Sequence, residues 1–158
     1  MKIVLFDIDG TLIKAGGAGV RALNHAVREM TGCKEACKAF ELQGATDKCN
    51  FDLAFKAGKG RRPTKKEMAE LVRLYVARLP EEVKASLKAK KYEKVKGVEK
   101  FLGKLSRTPG VMIGLGTGNL KDGAFIKLGP SGFMKYFAFG GYGCDSHHRA
   151  EVLEKAAE

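Results

Sequence analysis

The sequence predicts an α/β fold, a parallel-sheet core with a helical insertion after its first strand. Three observations carry this. Ile3 to Phe6 is an unbroken apolar run of β-formers stopped by an acidic loop, the pattern of a strand buried on both faces. From Gly16 to about Lys96 apolar residues recur almost wholly at helical spacing. From Gly97 onward strand and helix signals alternate, which favours parallel strands joined by crossovers. A chain of 158 residues suits one domain, or a small core carrying an insertion.

The elements follow in order. Gly16, Gly17 and Gly19 form a hinge after the first strand. Val20, Leu23, Val27 and Met30 then share one helical face, and Gly32 ends that helix. A second helix is expected over Asp47 to Ala57, with Phe51, Ala54 and Phe55 inward. A third opens on a capping box, Thr64 with Glu67, and continues through Met68, Leu71, Val72, Tyr75 and Leu79. Pro80 is expected to stop it and to open a further helix, where Glu81 and Glu82 suit the positive end of the dipole. Lys84 to Lys96 is basic and partly helical.

Past Gly97, Val98, Phe101, Leu102 and Leu105 mark a short amphipathic helix. Thr108-Pro109-Gly110 is a turn. Val111 to Leu115 reads as a second buried strand ending in Gly116-Thr117-Gly118-Asn119. A helix to about Leu128 follows, then a turn at Gly129-Pro130, with Ser131 placed to cap another short helix. Tyr136 to Phe139 reads as a third strand stopped by Gly140-Gly141. Ser146 suits the N-cap of a last helix through Val152 and Leu153.

Charge points to anionic partners. Twenty-nine Lys and Arg against eighteen Asp and Glu leave a formal charge of +11, which favours phosphorylated metabolites, nucleic acid or an acidic membrane surface over cationic ligands. The same charge also describes a lysine-coated soluble surface. Cys33, Cys37, Cys49 and Cys144 read as free thiols of a reducing compartment, because the C-x3-C pair has no matching histidines. The short apolar start runs into two acids and is no signal segment. No stretch approaches transmembrane length, so a cytoplasmic protein with no membrane partner is expected.

The chemistry concentrates at Asp7-Ile8-Asp9-Gly10-Thr11. Ligands of open α/β sheets bind at the carboxyl ends of the strands. A carboxylate there can attack phosphorus and form an aspartyl-phosphate. A second carboxyl two residues on can protonate the leaving oxygen and later activate water. Mg2+ would bridge carboxylate and phosphate. Two aspartates alone are better explained as turn residues before Gly10; the full string after a strand is far more specific.

That string, DIDGTL, resembles the first motif of the haloacid dehalogenase (HAD) superfamily. The resemblance implies a Rossmann-like core, here incomplete, and an α-helical cap, as in the phosphoglycolate phosphatase-like branch. It implies a core of residues 1–15 and 97–158 with a cap of residues 16–96. Thr117, in LGTGN, looks like the second motif, its hydroxyl and the backbone of Gly118 and Asn119 binding the transferring phosphoryl group beside Gly10 and Thr11. Gly44-Ala45-Thr46-Asp47 is similar to a G-x-T-D segment of the branch's cap. Thr46 and Asp47 face the substrate on that reading; equally, Asp47 caps the helix leading to Phe51. Arg149 stands about where the family places the cation of its third motif. Lys127, mid-helix in FIKLG, is the alternative and reads as structural. His147 and His148 diverge on a helix and are expected at the surface.

The resemblance thus implies an Mg2+-dependent phosphatase for a small phosphorylated metabolite, with Asp7, Asp9, Thr117 and Arg149 catalytic and Asp7 and Asp9 on the metal. The acid at Asp9 favours phosphate-ester chemistry over dehalogenation; a phosphomutase uses the same residues. The family's fourth motif, an acidic G-D-x-x-x-D, has no counterpart before Glu158, so a truncated form with weak magnesium binding and little or no phosphatase activity is expected. The first strand is then expected to have an open edge that invites self-association. A non-catalytic phosphate-binding or interaction protein on the same scaffold is the alternative. Nucleic acid is a weaker candidate. The basic runs Lys56 to Lys66 and Lys84 to Lys96 hold almost no aromatic residues, and suit a solvated face or the steering of an anionic substrate.

Overall fold

A computed structural model describes residues 1–40, 45–146 and 148–157. Gly44 and His147 lie outside the described residues. The architecture is α/β, with a parallel three-stranded sheet and six helices. Strand β1 (Lys2–Phe6) pairs with β4 (Val111–Gly116), which pairs with β5 (Phe139–Gly141). The register runs from Lys2 opposite Val111 to Phe6 opposite Leu115, then from Gly114 opposite Phe139 to Gly116 opposite Gly141.

β4 is the central strand and its last four residues are buried. β1 has the open edge expected of it, with no strand on its outer side among the described residues, but its residues are exposed or half-buried where burial on both faces was expected. The apolar run therefore marks strand propensity, while the edge position sets its exposure.

Between β1 and β4 the chain builds α1 (Ala18–Thr31), α2 (Asp47–Lys59) and α3 (Lys65–Lys88). Alanines set the closeness of α1 to α3. Ala18, Ala22, Leu23, Ala26 and Val27 are buried, whereas Val20 is exposed. The expected apolar face is thus rotated toward small residues. Gly19 is helical too, so the glycine hinge is shorter than expected.

Thr64 caps α3 in the expected box, accepting from Glu67 N–H while the Glu67 carboxylate accepts from Thr64 N–H. Pro80 does not stop this helix; α3 runs through it to Lys88. A mid-helix proline costs ~3 kcal/mol or more. Burial of Leu79 and Val83 opposes that cost. So does Arg21 of α1, whose Nε donates to Glu82 Oε2 at 2.6 Å and whose Nη2 donates to Glu82 O and Ser86 Oγ.

Two short segments, β2 (Ile13–Lys14) and β3 (Glu93–Lys94), pair antiparallel where the chain enters and leaves the three helices. Two residues carry too little pattern to announce a strand. α4 (Val98–Leu105) falls where expected, and α5 (Lys121–Leu128) and α6 (Arg149–Ala157) close the chain's second half. The third strand is displaced. Tyr136 lies in a 3-10 turn and β5 is formed by Phe139, Gly140 and Gly141. The glycines do not stop this strand; they let it pack. A Cβ on Gly141 would stand 2.2 Å from Val152 O of α6.

Candidate active site at the strand ends

Asp7 and Asp9 follow β1 directly, and Gly10 turns the chain with φ of 78°, a region that favours glycine. Ile8 between them is fully buried. That anchor holds both carboxylates at the mouth of a cavity of about 590 Å³. The cavity is bounded by α1, α2 and α3 on one side and by the ends of β1 and β4 on the other. Asp7, Asp9, Gly10, Asp47, Gly118, Asn119 and Arg149 all line it.

Each aspartate has its own cation. Asp7 Oδ2 accepts from Arg149 Nη2 at 2.5 Å, and Asp7 Oδ1 accepts from Ile8 N–H at 2.8 Å. Asp9 Oδ2 accepts from Lys127 Nζ and from Asn119 Nδ2, both at 2.9 Å. Lys127 Nζ also donates to Asn119 Oδ1 at 2.6 Å. Burial alone would weaken the Lys127 ammonium, but Tyr75, Asp9 and Asp47 around it hold it above the ordinary lysine range. Burial, with the Asp47 charge adding to it, keeps the Tyr75 phenol in its neutral form above the usual range.

The loop after β4 is held from two sides. Asp47 N–H donates to Gly118 O at 2.7 Å, and Leu120 N–H donates back to Asp47 Oδ2 at 2.8 Å. Burial pushes the Asp47 carboxyl above its usual range, against the pull of Lys127 and the Leu120 amide. On the other side Gly143 N–H donates to Asn119 O at 2.8 Å. A Cβ at Gly143 would stand 2.0 Å from Gly118 O, so only glycine fits that approach.

Other expected residues fall elsewhere. Thr117 is fully buried and is not among the residues lining the cavity. Its Oγ1 accepts from the Asn119 backbone N–H and from Asn119 Nδ2, and so orients Asn119. Thr46, not Asp47, is the N-cap of α2 and is buried. Thr11 is exposed and does not line the cavity. His148 is exposed.

Lys127, Tyr75, Asn50 and Gly19 complete the wall. Lys127 carried the one available signal. It falls with Gly123, Ala124 and Leu128 on the buried face of α5, where an unpaired lysine is rarely tolerated. Gly19 makes room for it: a Cβ there would meet Lys127 Nζ at 3.2 Å.

The donor set can be weighed for a magnesium ion. Among the described residues no three His, Cys, Asp or Glu side chains converge. Two carboxylates of hard oxygen nonetheless suit Mg2+ when substrate phosphate and water supply the remaining ligands. Asp9 Oδ1 accepts no hydrogen bond among the described residues, while Asp7 must exchange Arg149 to coordinate. The residues fit an ion held jointly with phosphate.

No family model matches the chain, and no curated protein matches it in sequence. Ten solved chains match it in structure. One is a presumptive phosphatase from Clostridium difficile, with a TM-score of 0.52 and 20% identity, covering 98% of this chain and 68% of that one. The likeness is one of fold. No described helix is long and apolar enough to cross a membrane.

Proposed function

We propose that the protein is a HAD-type phosphatase that hydrolyses a small phosphate monoester through an aspartyl-phosphate on Asp7. The observation that carries this reading is the paired arrangement at one cavity: two carboxylates two residues apart, each held by its own cation from a distant element. The fold it shares with the Clostridium difficile protein supports the phosphatase class.

In this reading Arg149 and Lys127 exchange their aspartate bonds for phosphoryl oxygens as the ester enters. Asp7 attacks phosphorus, and Asp9, which takes up a proton on Oδ2 once Lys127 has left it for the phosphate, gives that proton to the leaving oxygen. The same Asp9 then takes a proton from the water that cleaves the acyl phosphate. Asn119, fixed by Thr117, orients Asp9 and Lys127. Asp7 and Asp9 would hold Mg2+, which would neutralise charge on the phosphate. Gly10, Gly118 and Asn119 line the phosphate end, and Asp47 latches the helical cap, residues 16–96, to that loop.

A second reading is phosphate binding without turnover. It is favoured by the absence, among the described residues, of three acidic, histidine or cysteine side chains that converge to hold a metal ion. Hydrolysis of an aryl phosphate at saturating magnesium separates the two. Slow turnover that disappears in Asp7→Asn supports the phosphatase. Phosphate binding with no turnover supports the second reading.

A further inference from the structure

Tyr75 of α3 is 2% exposed and lines the cavity, yet it takes no part in the chemistry proposed for the aspartates. Its ring stands edge-on to Phe51, with centroids 4.9 Å apart. Two glycines leave it room. A Cβ on Gly123 of α5 would meet Tyr75 Cε1 at 3.6 Å, and a Cβ on Gly19 of α1 would meet Tyr75 Oη at 3.5 Å. The phenol thus reaches from α3 to the start of α1, at the wall of the cavity.

A buried tyrosine usually gives its hydroxyl a hydrogen-bond partner. Tyr75 Oη has none among the described residues. It is not sealed off either. Asn50 Oδ1 is the one fully buried side-chain oxygen or nitrogen without a partner among those residues. The Tyr75 oxygen therefore keeps accessible surface, and the cavity that Tyr75 lines is where it opens. Burial and the Asp47 charge keep the phenol neutral, so it is a donor awaiting an acceptor.

That donor stands beside Lys127. Tyr75 Oη and Lys127 Nζ lie 3.5 and 3.2 Å from one point, the place a Gly19 Cβ would take. Two oxygens of one phosphoryl group can accept from donors so placed. An ammonium offers the phenol no acceptor, and an apolar group leaves it unpaired.

We infer that Tyr75 binds the phosphate of the substrate, its O–H donating to a phosphoryl oxygen beside the Lys127 ammonium. The inference rests on the phosphate end lying at Asp7, Arg149 and Lys127.

Tyr75→Phe removes the oxygen alone and keeps the ring on Phe51. Inorganic phosphate, with magnesium present, is the probe, so that binding stands apart from hydrolysis. Calorimetry is expected to show phosphate binding about tenfold or more weaker in Tyr75→Phe, the scale of one hydrogen bond to a charged group. The chain has no tryptophan, so near-ultraviolet difference spectra report its tyrosines. Phosphate is expected to produce a tyrosine difference band that is missing in Tyr75→Phe and persists in Tyr136→Phe, whose side chain does not line the cavity. Equal phosphate affinity in Tyr75→Phe, or a band that survives it, overturns the inference. Weaker binding with no band in the unsubstituted protein also overturns it, by reducing Tyr75 to a packing residue. Phosphate binding that depends on Tyr75 without ester hydrolysis would end the phosphatase reading and leave this inference intact. Unchanged affinity beside hydrolysis that Asp7→Asn abolishes would do the reverse, and phosphate binding by neither protein overturns the inference.

Discussion

Lys127 is the residue on which the site turns most sharply. Its ammonium ties Asp9 to Asn119 and sits in the space left by Gly19. Lys127→Met keeps the length and removes the charge. The partly exposed side chain of Asp9 can then hydrate, so the fold survives. Turnover of phosphate esters is expected to fall about 100-fold or more, the scale of losing one preorganised electrostatic contact. Rates within a few-fold of the unsubstituted protein would reduce Lys127 to a packing residue.

Sequence legibility at this scale followed contiguity. Asp7 and Asp9 are neighbours in a string, and Arg149 sits at a recognisable distance from Thr117. Lys127, Tyr75 and Asn50 come from three helices, and each side chain also fits a plain helical pattern. Only the fold brings them to one wall. Thr117 lies at the expected strand end, but its neighbour Asn119 occupies its hydroxyl.

Helix α3 shows what local signals do and do not decide. Its start was legible because Thr64 and Glu67 satisfy each other's backbone donors within four residues. Thr64→Ala is expected to lower unfolding free energy by about 1 kcal/mol, measured by urea denaturation. The same box sets a pH dependence. Arg61 and then the Thr64 amide pull the Glu67 carboxyl down to about 2. A lowered folded-state value means stability that is full above the ordinary glutamate range and is lost as the pH falls toward 2. Arg61→Gln should therefore shrink the acid-induced loss between pH 4.5 and 2; an unchanged acid limb would contradict the assignment. The helix's continuation was not legible. Pro80 is a local stop signal, and packing on α1 with the Arg21–Glu82 bonds overrides it. The glycines of β5 misled for the converse reason: they answer the close approach of α6, which no local window reveals.

At the scale of the whole molecule, the three-stranded sheet ends on β1, whose outer edge pairs with no described strand. Ile3 is 38% exposed and Met112 of the neighbouring strand 40%. An apolar open edge pairs readily with another chain. Light scattering is expected to show apparent mass rising with concentration, and Ile3→Lys is expected to suppress the rise. A monomeric mass throughout would show that this edge is protected.

The central claim is that Asp7 is the reacting group of this cavity. Its most direct test is the initial rate of p-nitrophenyl phosphate hydrolysis at saturating magnesium, for the unsubstituted chain and for Asp7→Asn. The account predicts slow turnover that falls at least about 1,000-fold in Asp7→Asn. Equal rates in the two proteins, or no turnover in either, would contradict it.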